Sequence, residues 1–245
     1  MRIAIAGVFF ALCFVLGSFS GGSPKEDIVV IKTKYGNILI WLYKDTPKHR
    51  DNFIKLSNQG FFDGTMFHRV ISTFMIQGGD PYSADPKMAD SIGNGGPGYE
   101  IDAEILPNHF HKRGALAAAR QSDDINPLRK SSGSQFYIVQ GKKWSDEELN
   151  NFQRRIRTNT KNDQFTFTEE QIRYYKTFGG TPQLDQQYTV FGEVISGMAF
   201  VDSIASVKTN ADKNNRPLDP ITMDVNIVKM SRKVLEEKYL FVVPN

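Results

Sequence analysis

The sequence is nearly free of cysteine and carries little net charge of either sign. A single cysteine, Cys13, rules out a disulfide scaffold and a multi-cysteine metal or iron–sulfur site. The 30 basic and 27 acidic residues leave a net charge of +3, without a run of five basic residues, so bulk electrostatics gives no reason to expect nucleic-acid binding. With 245 residues and 40% hydrophobic content, we expect one or two globular domains.

Long hydrophobic runs are also scarce, with one exception at the N-terminus. Residues 3–19 are almost uninterruptedly apolar, follow a single arginine, and precede a Ser/Gly-rich stretch. This pattern is typical of a secretory signal peptide, here predicted over residues 1–20 and followed by a linker over residues 21–27. We therefore expect an exported protein, periplasmic or secreted. An uncleaved membrane anchor through residues 3–19 is the alternative, because about 17 apolar residues are at the short limit for crossing a bilayer.

The remainder of the chain is rich in β-strand patterns. Two apolar runs flank Lys34-Tyr35-Gly36-Asn37, which predicts a hairpin. Thr46-Pro47 predicts the start of one helix, and Ser196-Gly197 precedes a second helical pattern. Many strands with two widely separated helices favour an all-β barrel whose ends are capped by helices.

One polar, helix-like segment interrupts this pattern. It contains two capping-box sequences, Ser145-Asp-Glu-Glu148 and Thr168-Glu-Glu-Gln171, separated by a loop. We predict an inserted helical hairpin over residues 142–180 whose apolar residues pack against the parent domain, which spans residues 28–231. Residues 232–245 are predicted to form a C-terminal extension, as a short amphipathic helix or a docking strand.

Four motifs carry a family resemblance. They are Phe67-His-Arg-Val-Ile-Ser-Thr-Phe-Met-Ile-Gln-Gly-Gly-Asp80, Gly93-Asn-Gly-Gly-Pro-Gly98, Ser132-Gly-Ser-Gln-Phe-Tyr-Ile138 and Leu184-Asp185 through Val190-Phe-Gly-Glu-Val194. Together, and in this order, they resemble the cyclophilins, which are peptidyl-prolyl cis/trans isomerases, also called rotamases. The resemblance implies a closed eight-stranded antiparallel barrel capped by two helices. It also implies a monomer that binds proline-containing polypeptides and needs neither cofactor nor metal.

By this resemblance Arg69 is the catalytic residue. An X–Pro bond rotates over a barrier of ~18–20 kcal/mol, and the prolyl nitrogen regains its lone pair as the bond twists. A fixed donor aimed at that nitrogen stabilises the twisted form selectively, and arginine is always protonated. The resemblance further implies a substrate groove with an apolar proline slot, formed by Phe74, Met75, Gln77, Gly93, Ala119, Arg120, Gln135, Tyr137, Gln183, Leu184 and Tyr188.

Among these residues, Gln77 and Gln135 are expected to anchor the substrate backbone. Tyr137 stands where the family usually has phenylalanine, and three departures matter more: Gln183 replaces a tryptophan, Tyr188 a histidine, and Arg120 an asparagine. Because Gln183 lacks the flat surface of a tryptophan, we expect cyclosporin-type macrocycles to bind weakly.

Other candidate sites in the sequence have weaker support. His109 and His111 could offer two metal ligands, but without a third ligand nearby we interpret them as ordinary surface histidines. His68 is expected to fix structure through hydrogen bonds. The glycine loop over residues 93–98 lacks a Walker lysine, which argues against nucleotide binding.

The sequence therefore predicts an exported prolyl isomerase that assists the folding of exported proteins. Two alternatives remain. One is a non-enzymatic periplasmic chaperone that uses the same groove, and the other is an envelope interaction protein that uses the inserted hairpin.

Overall fold

The computed structural model describes residues 23–244. The predicted signal peptide with Cys13, and the start of the predicted linker, lie outside the described residues. Within residues 23–244, no helix has both the length and the apolar character needed to cross a membrane. The described chain opens with the predicted hairpin, formed by strands β1 (Lys25–Thr33) and β2 (Gly36–Leu42). Gly36 in its turn has a φ of 136°, and a Cβ there would meet the Phe200 ring, so the turn requires glycine.

The strands of the domain form one eight-stranded antiparallel sheet and two short ladders of two strands each. The order in the large sheet is β12-β1-β2-β9-β6-β8-β4-β3. The remaining strands are β3 (Arg69–Ile71), β4 (Met75–Gly78), β5 (Glu100–Ile101), β6 (Ala115–Ala118), β7 (Ser131–Ser132), β8 (Phe136–Val139), β9 (Val190–Ser196), β10 (Thr209–Asn210), β11 (Arg216–Pro217) and β12 (Asp224–Ser231).

The eight-stranded antiparallel sheet agrees with the prediction, but a closed barrel is not confirmed. Strands β12 and β3 are the two ends of the sheet. Between them, the described residues show one isolated bridge, Met66–Thr222, and main-chain hydrogen bonds such as that from Phe67 N to Ile221 O at 2.9 Å. Pro220 stands just before β12 and lacks an N–H, so a regular ladder cannot extend through it.

Side chains alternate between the two faces of the sheet, and each face has its own core. On β1, Val29 and Ile31 belong to a cluster that also contains residues of helices α1 (Pro47–Asn58) and α4 (Met198–Ala205). Ile28 and Val30 point to the opposite cluster, which contains Met75 and Tyr137. The predicted site residues therefore lie on the face away from the two capping helices.

The inserted hairpin forms as predicted, with helices α2 (Asp146–Thr160) and α3 (Glu169–Thr177). Both capping boxes are complete, because Ser145 and Thr168 each accept from the third residue of their helix and that residue's side chain binds back. The hairpin packs on the parent domain as expected: the Tyr175 ring meets Phe110 edge-on at 5.5 Å between ring centroids.

The C-terminal extension forms the predicted helix and not the docking strand. Residues Arg232–Tyr239 form helix α5, which buries Leu235 completely. The chain then continues without regular structure, and Val243 is buried in the same core as the site residues. At the start of this helix, Arg232 donates to the buried Glu26 of β1 at 2.8 Å, which ties the extension to the sheet.

Candidate active site

The hairpin of β3 and β4 places the predicted catalytic arginine. Antiparallel pairing sets Arg69 directly opposite Gln77, so both side chains leave the same face of the sheet. The Arg69 Nη1 donates to Gln77 Oε1 at 3.2 Å. Met75 is two residues from Gln77 and shares its face, whereas Ile76 points into the opposite core. The register of this hairpin therefore places the Arg69 guanidinium, the Gln77 amide and the Met75 thioether side by side on one face of the sheet.

A cavity of about 160 Å³ opens at this spot. Every predicted site residue except Gln135 and Gln183 lines it, and two further residues, His68 and Asn214, line it as well. The full lining consists of His68, Arg69, Phe74, Met75, Gln77, Gly93, Ala119, Arg120, Tyr137, Leu184, Tyr188 and Asn214. Met75 and Tyr137 are buried and Phe74 is half-buried, so the cavity has the apolar walls that a proline ring needs.

Arg69 has an unused donor at this cavity. Its Nε is buried and has no hydrogen-bond partner within residues 23–244. Partial burial lowers the pKa of the guanidinium from its ordinary value, while the nearby Tyr188 hydroxyl opposes that effect. An arginine nevertheless stays protonated at neutral pH, so the guanidinium that lines the cavity is a fixed positive charge.

The two predicted backbone anchors form a chain of amides beside the cavity. Gln77 Nε2 donates to Gln135 Oε1 at 3.0 Å. Gln135 Nε2 in turn donates to the carbonyl oxygens of Gly93 at 3.0 Å and Gly95 at 2.9 Å. Gln135 lies in the groove adjoining the cavity rather than in its wall. Its side chain therefore holds Gln77, which in turn holds Arg69.

Arg120 forms the wall opposite Arg69 together with Tyr188. Its guanidinium lies 4.5 Å from the centroid of the Tyr188 ring, within cation–π range. Its Nε donates to Gln187 O at 2.8 Å, and its Nη1 lies 2.6 Å from a carboxylate oxygen of Asp123. Arg120, which stands where the family has an asparagine, is therefore held by neighbouring residues of the same protein.

Gln183 does not line the cavity, although it was predicted as a site residue. Its carbonyl oxygen accepts from Gln187 Nε2 at 2.8 Å. Its side-chain Oε1 is buried and has no hydrogen-bond partner among the described residues. The short 3₁₀ turn Pro182–Leu184 instead presents the next residue, Leu184, to the cavity.

The interpretation of both histidines at 109 and 111 as surface residues is wrong for His111. His111 is completely buried, and its Nδ1 lies 2.8 Å from Asp185 Oδ1. Its Nε2 lies 2.9 Å from the Tyr137 hydroxyl, so it directly supports a cavity residue. His109 lies elsewhere, stacked on Tyr43 at 4.0 Å between ring centroids. Residues 23–244 contain no cluster of three candidate metal ligands.

His68 also differs from its prediction. Both ring nitrogens are buried, and neither makes a hydrogen bond of normal geometry in the described part of the chain, although the Met66 main chain lies close enough to the ring to raise its pKa. Burial lowers the pKa of the imidazole to about 4, although the Asp80 charge opposes the shift. His68 is therefore a buried neutral ring in the cavity floor. The sequence could have indicated this position only through its place between Phe67 and Arg69 in the motif.

Comparisons with known proteins agree with this geometry. Residues 28–228 match the family model described as cyclophilin type peptidyl-prolyl cis-trans isomerase. A Staphylococcus haemolyticus protein named for peptidyl-prolyl cis-trans isomerase activity is 34% identical over 201 residues, covering 82% of this chain and 90% of that protein. A Staphylococcus aureus protein with the same name is 34% identical, covering 80% and 88%.

Solved structures show the same likeness. The crystal structure of a Cryptosporidium parvum cyclophilin type peptidyl-prolyl cis-trans isomerase matches with a TM-score of 0.58 at 26% identity, covering 85% of this chain and 99% of that one. A second crystal structure of that protein, obtained in the presence of the dipeptide Ala-Pro, matches with a TM-score of 0.57 at 27% identity. It covers 83% of this chain and 99% of the other.

Proposed function

The chain belongs to the cyclophilin-type peptidyl-prolyl cis-trans isomerases, and we propose that it isomerises X–Pro bonds at the Arg69 cavity and assists the folding of exported proteins. The cavity itself carries the assignment of the site, because the Arg69 guanidinium, whose Nε has no partner among the described residues, lines it together with Phe74 and Met75.

The residues suggest a mechanism by selective stabilisation of the twisted bond. The proline ring enters between Phe74, Met75 and Tyr137, and this apolar contact positions the X–Pro bond beside Arg69. In the planar state the prolyl nitrogen shares its lone pair with the carbonyl and accepts poorly. As the bond rotates, the lone pair returns and accepts from the guanidinium, so binding is stronger in the transition state than in the ground state.

The amide chain through Gln77 and Gln135 supplies the rigidity that this step requires. A donor lowers a barrier efficiently only when it is already oriented before the charge develops. Gln77 Oε1 accepts from one arm of Arg69, and Gln135 fixes Gln77 against the glycine loop. In this scheme both glutamines act through Arg69, and no covalent intermediate or cofactor is required.

Substitution of Arg69 tests this assignment. In Arg69→Ala we expect kcat/KM on a short X–Pro peptide to fall roughly 10²–10³-fold, by analogy with the loss of one preorganised donor. Because Arg69 fills little core volume, the melting temperature should remain close to that of wild type. Arg69→Lys keeps the charge but loses the planar fork, so it should recover only part of the activity. Near-normal turnover in a folded Arg69→Ala variant would contradict the assignment.

The proposed role in export rests on the N-terminal sequence. One arginine, an apolar run over residues 3–19 and small residues after it favour cleavage near residues 18–20. Cell fractionation with N-terminal sequencing of the exported protein tests this directly. Recovery of the chain with Met1 intact in the membrane fraction would support the anchored alternative. Recovery in the cytoplasm would contradict export.

A refolding assay with the same protein distinguishes an isomerase from a passive chaperone. An isomerase accelerates a refolding phase limited by proline isomerisation, which is otherwise slow. A passive chaperone raises the yield of refolding without changing the rate of that phase. We expect wild type to accelerate the phase and Arg69→Ala to lose the acceleration.

A further inference from the structure

A buried chain of four hydrogen-bonded side chains joins the inserted hairpin to the cavity. It starts on α3, where the Tyr175 hydroxyl donates to Asp185 Oδ2 at 2.6 Å. Asp185 Oδ1 lies 2.8 Å from His111 Nδ1, and it also accepts from the His111 main-chain N–H at 2.8 Å. His111 Nε2 lies 2.9 Å from the hydroxyl of Tyr137, whose ring lines the cavity.

All four side chains are withdrawn from solvent. Tyr175 and His111 are completely buried, Asp185 is 1% exposed and Tyr137 is 4% exposed. Burial and the Asp185 charge raise the pKa of the Tyr175 hydroxyl well above its ordinary value. Burial, with Tyr188 and Asp185, does the same for Tyr137. Both phenols therefore keep their protons, and a broken link would leave a buried polar group without a partner.

The chemistry of these groups determines which atoms donate and which accept along the hydrogen-bonded series. An ionised carboxylate only accepts, so His111 Nδ1, which faces Asp185, carries the proton. The other nitrogen, Nε2, lies 2.9 Å from the Tyr137 hydroxyl, and in the neutral tautomer it accepts a hydrogen bond from that hydroxyl. The Tyr137 hydroxyl is thus committed away from the substrate. The cavity is lined by its ring, as it would be by the family's phenylalanine, but with the ring fixed from behind.

Asp185 connects the same chain to a second part of the cavity wall. It directly follows the 3₁₀ turn Pro182–Leu184, and Leu184 lines the cavity. Upstream of that turn, Thr181 N donates to His111 O at 2.9 Å. The segment that leaves the inserted hairpin is therefore fixed to His111 at both ends of the turn, through Thr181 N before it and through the Asp185 carboxylate after it.

We propose that the inserted hairpin is a positioning element of the proline slot, with Tyr175 acting through Asp185 and His111 to fix Tyr137 and Leu184. The inference rests on the proposed function of the cavity, and it assigns the insertion a role in substrate binding rather than in docking a partner. Tyr175, Asp185 and His111 are positioning residues, since none of them lines the cavity.

Matched substitutions on α3 test this role. Tyr175→Phe removes only the hydroxyl that binds Asp185. Tyr174→Phe, one residue earlier on the same helix, removes a hydroxyl that lies 3.5 Å from Arg113 O and takes no part in the series of four hydrogen-bonded side chains. The slot binds the proline ring in both ground and transition states, so its loosening raises KM with little change in kcat. We expect KM to rise about three- to tenfold in Tyr175→Phe, which is the effect expected from the loss of one hydrogen bond. We expect no rise of KM in Tyr174→Phe.

A double substitution shows whether the effect passes through Tyr137. In a Tyr137→Phe background the branch through His111 to Tyr137 is already broken, so adding Tyr175→Phe should raise KM less than it does in wild type, and the increase that remains passes through Asp185 to Leu184. A purely structural role would instead lower the melting temperature in both backgrounds without separating KM from kcat. Equal KM values for Tyr175→Phe and Tyr174→Phe, or full additivity in the Tyr137→Phe background, would overturn the inference.

Nitrogen-15 spectra of wild type provide a second test that does not depend on variants folding. The His111 ring should show a protonated Nδ1 and an unprotonated, hydrogen-bonded Nε2. Titration with an X–Pro peptide should move the Nε2 resonance, because the peptide contacts Tyr137. An active wild type without this shift would overturn the positioning role alone. A wild type without isomerase activity would instead contradict the proposed function.

Discussion

The two walls of the proline slot are built by different means. Arg69, Met75 and Gln77 come from one hairpin, whose register sets their positions within nine residues of chain. The opposite wall, with Arg120 and Tyr188, comes from segments far apart in sequence. It is held by the contacts of one side chain: the Arg120 cation over the Tyr188 ring, its ion pair to Asp123 and its hydrogen bond to Gln187 O.

In one wall the backbone ladder fixes the positions of the lining residues, and in the other wall side-chain contacts fix them. A substitution on the hairpin wall leaves the ladder hydrogen bonds in place, so its effects should stay local. A substitution on the opposite wall removes the contacts that hold neighbouring residues, and its effects should spread to them.

The largest effect is expected within the hairpin wall. Met75 is 2% exposed, whereas the neighbouring Phe74 is half-buried. Met75→Ala should lower the free energy of unfolding by about 2–5 kcal/mol, because it leaves a hole in packed core. Phe74→Ala should cost less stability but raise KM more, since its ring faces the slot. Urea unfolding and peptide kinetics on both variants check this, and an equal stability loss would place Phe74 in the core.

His68, beneath the hairpin wall, should make the protein less stable in acid. Its pKa of about 4 in the folded state lies below the ordinary 6.5, so between these values the unfolded chain binds the proton and the folded protein does not. Stability is therefore fully present above pH 6.5 and falls as the pH drops towards 4. At 1.36 kcal/mol per pH unit this amounts to about 3 kcal/mol.

The measurement is the free energy of unfolding from pH 4 to 7 in wild type and His68→Gln. The variant should show a shallower slope. Some slope should persist, because burial also lowers the pKa of His49 in spite of its bond to Glu104. His49→Gln is therefore the comparison, and the double variant should be flatter than either. Parallel curves for wild type and His68→Gln would refute the role given to His68.

On the opposite wall, Arg120→Ala should have effects that spread. Its buried side chain donates to Gln187 O and stacks on Tyr188, so its loss should cost about 1.5–3 kcal/mol of stability and raise KM. Arg129→Ala is the matched control, because Arg129 also binds Asp123, at 2.7 Å, but does not line the cavity. The control should keep its KM. If both variants raise KM equally, the stack on Tyr188 is unimportant.

The sequence predicts the hairpin wall well because the relevant signals are local. Strand alternation, the turn at Gly36 and both capping boxes depend on residues a few positions apart, and all of them appear in the structure. Arg69 and Gln77 could likewise be placed together, because a short hairpin leaves few registers for the pair.

The residues that sequence reasoning missed are those whose contacts are distant. His111 lies 74 residues from Asp185 and 26 from Tyr137, so its spacing from His109 indicated nothing about its partners. Asn214 reaches the cavity from a loop in a left-handed backbone conformation, with φ of 53°. No periodic pattern marks such a position. A Tyr at 137 where the family has Phe was the one available signal of a polar partner behind the slot.

The smallest effect on turnover is expected at Gln183, which the sequence predicts as a site residue but which does not line the cavity. Gln183→Trp should change kcat/KM on a short peptide less than about twofold, because the peptide reaches Arg69 without this side chain. A cyclosporin-type macrocycle covers a wider surface, so the native protein should bind it weakly, and the indole should tighten binding through its ring face and N–H.

Removal of the amide also relieves a defect, since Gln183 Oε1 is buried without a partner among the described residues. The variant should therefore be no less stable than wild type if the indole is accommodated at the surface. Calorimetric titration with the macrocycle and peptide kinetics on the same samples decide the matter. Tight binding by wild type, or no gain in Gln183→Trp, would show that this position does not reach the rim of the groove. A large loss of turnover would mean that Gln183 supports Leu184, and with it the side-chain-built wall.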